Sequence, residues 1–109
     1  MQGQIPEIDV EELAELLEGD IVLVDVRNPD EHLEARVPGV QLIPLPELVE
    51  RHDEIPEADT VYVICKLGGR SMKACEFLVT QGRQVVNVAG GTDAWIGSGR
   101  DVDSGPDVG

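Results

Sequence analysis

Apolar positions along this chain fall into two alternating rhythms: short β-branched runs, and stripes repeating at three and four residues. The runs predict strands at Ile21 to Val26, Val40 to Ile43, Val61 to Ile64 and Val85 to Val88, with a short edge strand at Gln2 to Ile5 ended by Pro6. Between them come helices. Asp9 caps the first, with Glu12 three residues later and Val10, Leu13, Leu16 and Leu17 as its inward stripe before Gly19. Asn28 and Pro29 start a second that runs toward Ala35, and Pro46 starts a third with Leu48 and Val49 inward. Ser71 to Gln81 forms the fourth, striped by Met72, Cys75, Leu78 and Val79 and closed by Gly82. Ala89, Gly90 and Gly91 turn into a fifth that holds Trp95, expected as a core anchor. Strands alternating with helices predict an α/β domain of three layers around a mainly parallel five-stranded sheet.

Composition narrows the picture. The 109 residues suit one domain, placed at 1–100, and the Gly, Ser and Asp that dominate from Gly97 onward predict a flexible tail at 101–109. A net charge of −14 argues against nucleic acid and anionic membrane surfaces as partners. The glutamates of the first helix read as its solvated face. No apolar run approaches a membrane span and no basic leader precedes one, so the chain is expected in the cytoplasm. His32 and His52 have no metal-ligand spacing and read as surface residues; no metal and no cofactor is required. Ile55 to Asp59 reads as a surface connection, and Pro38 and Gly39 as the centre of a type II turn.

The candidate chemistry lies where the Val61 to Ile64 strand runs into Cys65, Lys66, Leu67, Gly68, Gly69, Arg70 and Ser71. Loop amides and a helix amino end favour negative charge there, and Lys66 and Arg70 add two cations, so Cys65 is expected to ionise readily. The bland alternative, a buried structural thiol, fits Cys75 better, because Cys75 lies on an apolar helical stripe. Ser71 either donates to the site or caps its helix. Asp25, inside an apolar strand, needs a partner, and Arg27 two residues on shares its side. A supporting role beside the site is preferred for both over direct contact with substrate.

The loop from Cys65 to Ser71 resembles the active-site loop of rhodanese-type sulfurtransferases. Asp25 and Arg27 with Glu31, Val37 to Val40 with Ile43, Pro44 and Leu45, and Gly90 and Gly91 with Ala94 and Trp95 are similar to further motifs of that family, in the same order, over about residues 4 to 100. Many relatives carry Gly-His where this chain has Ala35 and Arg36, so no polar contact is carried over at that point. The resemblance implies sulfur transfer in two steps. The Cys65 thiolate takes the outer sulfur of a donor such as thiosulfate, and the resulting persulfide passes it to a thiophilic acceptor such as cyanide or a thiol, or to a sulfur-accepting protein. A non-catalytic binding module is the alternative. A cysteine-dependent phosphatase or arsenate reductase is less favoured, because four residues rather than five separate Cys65 from Arg70, a cradle suited to one sulfur more than to a tetrahedral oxyanion.

Overall fold

The β-branched runs form the middle of the sheet. A computed structural model describes residues 4–106, with Val22–Asp25 (β2), Val61–Ile64 (β4) and Val85–Val88 (β5) as its longest strands. Glu7–Ile8 (β1) and Gln41–Leu42 (β3) form the edges, giving the all-parallel order β1-β5-β4-β2-β3. The five-stranded α/β architecture expected from the sequence is therefore present. The helices are Val10–Leu16 (α1), Pro29–Glu34 (α2), Leu48–Arg51 (α3), Gly69–Thr80 (α4) and Gly91–Gly97 (α5).

Alternation along β4 separates two cores, which makes the domain three layers deep. Val61, Val63 and Cys65 join Val24, Leu48, Ala74, Cys75 and Leu78 on the face covered by α3 and α4. Ile64 joins Val10, Leu13, Leu23, Val88 and Trp95 on the face covered by α1 and α5. β4 is central, with neighbours on both edges, so the residue at its carboxyl end lies over the middle of the molecule.

Several expectations shift. The edge strand placed at Gln2 to Ile5 falls partly on Gln2 and Gly3, outside the described residues, and the observed strand begins after Pro6 instead. Pro6 needs no N–H there, because it serves the sheet as an acceptor: its carbonyl takes the Asn87 N–H at 2.9 Å. On α4 the inward stripe is Ser71, Ala74, Cys75 and Leu78, at steps of three, one and three, while Val79 is exposed. The small and polar members of that stripe carry no hydropathy signal. Val49, expected inward, is 65% exposed beside buried Leu48, and Ile55 is buried rather than part of a surface connection.

His32 is the largest correction among the side chains. It is buried, not a surface residue, with Nδ1 3.1 Å from Asp25 Oδ2. The segment assigned to a flexible tail is tied to the domain as far as it is described: Arg36 and Asp103 exchange backbone bonds of 2.9 Å, Gly105 N–H donates to Leu33, and Arg36 Nη1 donates to the Gly105 carbonyl. Trp95 Nε1 donates to the Asp101 carbonyl, so the core tryptophan holds this segment as well. Residues 107–109 lie outside the described part. No helix among the described residues is long and apolar enough to cross a membrane.

Candidate active site

Cys65 follows β4 directly, and the chain then turns so tightly that α4 begins at Gly69, two residues earlier than the sequence suggests. Gly68 makes this possible with φ +118°, a left-handed conformation costly for residues with a Cβ. The turn aims donors at the sulfur. The Gly68 N–H reaches Cys65 Sγ at 3.0 Å, and Ser71 Oγ donates to it from 3.2 Å. Burial pushes the Cys65 thiol up, but the Ser71 hydroxyl and the backbone N–H groups of Ser71, Gly68 and Leu67 outweigh it, so the thiol ionises more readily than an ordinary cysteine. Of the two roles open to Ser71, donating and capping, the structure shows donation: Gly68 is the N-cap of α4 and Ser71 lies within the helix, with Oγ also 3.2 Å from the Gly68 carbonyl as a second acceptor.

A second strand and its helix brace this loop. Thr92 grips the Cys65 carbonyl twice, by N–H at 2.8 Å and Oγ1 at 3.0 Å, and the Asp93 N–H takes the Lys66 carbonyl at 3.0 Å. Gly91 must be glycine: at φ +60°, a Cβ there would stand 2.5 Å from the carbonyl oxygens of both Cys65 and Lys66. From β5, Asn87 Nδ2 donates to the Gly68 carbonyl at 3.2 Å. The double glycine that closes the domain thus serves the cysteine loop.

The two cations of the loop are already engaged. Lys66 is well exposed and lies 3.4 Å from Asp93 Oδ2. Arg70 forks onto Glu31, Nη1 to Oε1 at 2.8 Å and Nη2 to Oε2 at 3.0 Å. Glu31 Oε1 also accepts the Asn28 N–H at 3.0 Å, so one carboxylate caps α2 and clamps the loop. The side-chain bonds from Arg70, helped by the Asn28 N–H, hold the Glu31 carboxyl down at about 2 against the cost of its partial burial. The thiol is therefore poised by hydrogen bonds, and the cations expected to do so are balanced by carboxylates. Leu67 is 65% exposed at the loop tip.

Asp25 and Arg27 form the pair anticipated, fully inside the protein. Arg27 Nε and Nη2 fork onto the Asp25 carboxylate at 2.9 and 2.8 Å, the Arg27 N–H adds 3.1 Å, and Nη2 continues to the Ala35 carbonyl. No hydrogen bond of either residue reaches the cysteine loop; the pair instead holds α2, which carries Glu31, at His32 and at its carboxyl end through the Ala35 carbonyl. Cys75 is fully buried and its thiol is pushed up to about 12, chiefly by that burial. Sequence reasoning missed Thr92, Asn87 and the clamp at Glu31. Asn87 alone left a signal, as one amide within a run of valines.

Comparison with known proteins bears on the family and the fold. A sulfurtransferase of Allochromatium vinosum is 37% identical over 98 residues, covering 87% of this chain and 92% of that protein. The crystal structure of a rhodanese-like domain protein from Staphylococcus aureus superposes with a TM-score of 0.82 at 30% identity, over 94% of this chain and all of the other. A thiosulfate sulfurtransferase from Pseudomonas aeruginosa superposes at 0.83 with 29% identity, over 94% of this chain but only 21% of that one. The chain also spans about half, 53%, of a Bacillus subtilis protein 38% identical to it over 98 residues. With the rhodanese-like domain matching residues 9–98 as well, this chain belongs to the rhodanese-like family.

Proposed function

We propose that this protein is a sulfurtransferase that carries a sulfane sulfur on Cys65. One observation supports this above others: Cys65 Sγ sits at the carboxyl end of the central strand with the Gly68 N–H and the Ser71 hydroxyl directed at it. Those donors favour the thiolate that attacks and the anionic persulfide that results. In the first step the thiolate attacks the outer sulfur of a donor such as thiosulfate; the S–S bond of the donor breaks, its electron pair leaves with sulfite, and Cys65 becomes a persulfide. In the second, an acceptor such as cyanide attacks the outer sulfur, leaves as thiocyanate, and returns the thiolate. No electrons are lost or gained overall.

Thiosulfate is favoured as a donor because Lys66 and Arg70 can meet a dianion, and a fold relative in Pseudomonas aeruginosa is named for that reaction. At rest these cations face Asp93 and Glu31, so a dianion would have to compete with two carboxylates. A binding module without catalysis remains the rival reading, and the poised thiol weighs against it. The test is to incubate the protein with thiosulfate, weigh it intact, add cyanide and assay thiocyanate, with Cys65→Ser in parallel. Gain of one sulfur, lost to cyanide and absent from the variant, is expected. No gain from thiosulfate, mercaptopyruvate or a low-molecular-weight persulfide would leave the binding module as the better reading.

A further inference from the structure

Asn87 is out of character with its strand. Its neighbours are Val85, Val86 and Val88, it is 1% exposed, and its Oδ1 has no hydrogen-bond partner. A valine would suit the sheet and leave no buried acceptor unmatched. What the amide does contribute is two donated bonds: Nδ2 gives one to Glu7 Oε2 at 2.8 Å, on the neighbouring strand β1, and one to the Gly68 carbonyl at 3.2 Å. Because both partners are acceptors, they decide which end of the amide carries the nitrogen.

Gly68 is the residue that joins this amide to the sulfur. Its N–H is on Cys65 Sγ, and its carbonyl takes Asn87. The same carbonyl is within reach of Ser71 Oγ at 3.2 Å, the distance at which Ser71 Oγ also stands from Sγ. A hydroxyl has one proton to give, so the Gly68 carbonyl and the sulfur compete for it. The carbonyl already accepts the Met72 N–H of α4 at 3.2 Å, and Asn87 bears on the competition by taking its second lone pair.

We infer that Asn87, steered by Glu7, is a positioning residue of the sulfur cradle: it takes up the Gly68 carbonyl, so that the Ser71 hydroxyl proton goes to Cys65 Sγ and the Gly68 N–H stays on the same sulfur. The inference rests on the reading of Cys65 as the sulfur-carrying nucleophile, and it extends the cradle to strands β1 and β5. Asn87 touches neither the sulfur nor a substrate. It acts through a glycine and a serine.

The test is the pH dependence of Cys65 alkylation by iodoacetamide, in a Cys75→Ala background, for the parent, Asn87→Leu, Ser71→Ala and the double variant. Leucine is close to asparagine in size and uncharged. Asn87→Leu is expected to raise the alkylation midpoint by about half to one pH unit, since the sulfur loses part of its hydrogen bonding. Ser71→Ala is expected to raise it too, and the double variant to fall short of the sum, because part of the Asn87 effect passes through the Ser71 proton. An unmoved midpoint in folded Asn87→Leu, or full additivity, overturns the inference.

Should Asn87→Leu not fold, Glu7→Ala and Glu7→Gln decide. They remove the same charge and differ in whether an acceptor remains to steer the amide; a higher midpoint for alanine is expected, and equal midpoints overturn the inference. The titration needs no sulfur donor. Midpoints that move as stated in a protein that never loads sulfur would defeat the proposed function alone, and sulfur loading with unmoved midpoints would defeat the inference alone.

Discussion

Arg70, in the first turn of α4, holds Glu31 of α2 through two parallel bonds of 2.8 and 3.0 Å. The cysteine loop is thereby tied through Arg70 to a helix that begins 41 positions earlier, at Pro29. The pair has a pH signature with a definite sign. The Glu31 carboxyl is lowered from 4.5 to about 2, so the stability it contributes is complete above about 4.5 and is lost as pH falls from there toward 2. Urea unfolding of the parent and of Glu31→Gln should differ by about 1 kcal/mol or less near neutral pH, since the pair is partly exposed. The gap should close on acidification to about pH 2, and a gap that is constant with pH would contradict the pairing.

The same pair bears on donor choice. If thiosulfate is the donor, Glu31→Gln removes a carboxylate that competes for Arg70 while keeping an acceptor for it. KM for thiosulfate should fall about two- to fivefold, with kcat little changed. Steady-state rates of thiocyanate formation measure both, and an unchanged KM would speak against Arg70 as the dianion site.

Gly91→Ala should be severe although the substitution adds one methyl group. The new Cβ would meet the Cys65 and Lys66 carbonyls at 2.5 Å, on a backbone at φ +60°. A loss of about 3 kcal/mol is expected from the close approach and the backbone conformation together. Thermal unfolding measures it; Gly82→Ala, whose φ is +83° with nothing within 4 Å of the added Cβ, separates backbone strain from collision.

Arg27→Met should cost about 3 to 5 kcal/mol, because it leaves the fully buried Asp25 carboxylate without its forked partner. Denaturant midpoints give the figure. A value under about 1 kcal/mol would mean that the remaining donors compensate the charge.

Cys75→Ala should leave sulfur loading intact. The thiol is pushed up to about 12 and is fully buried, so it stays protonated while Cys65 reacts. A cost of about 1 kcal/mol from the lost packing is expected in the unfolding midpoint. Loss of sulfur loading in the folded variant would instead point to Cys75 as a thiol that takes part in the reaction.

The sequence displayed the strands and the cysteine loop clearly because both depend on local pattern: β-branched runs between turn residues, and glycines after a cysteine. Asp25 and Arg27 were legible for a related reason, since a carboxylate in an apolar strand requires a partner and a strand supplies one two residues on. Long-range partners left no such trace. Glu31 looked like an ordinary capping residue, and its second bond, to Arg70, exists only because β2 and β4 lie side by side. His32 looked superficial because no spacing marked it, whereas α2 turns it inward onto Asp25. Hydropathy pulls the α4 stripe toward Met72 and Val79, because Ser71 and Ala74 are small and do not register as inward.

The bonds that hold the cysteine loop also affect the entropy of its reaction. The carbonyls of Cys65, Lys66 and Gly68 are each held by donors from β5, α5 or α4, so three of the first four peptide groups after β4 have little rotational freedom left to lose. A loop this constrained should gain a sulfur without freezing further, and its B-factors and amide exchange should be nearly the same before and after loading. The cost of ordering the site is met when the chain folds, once, rather than at each turnover.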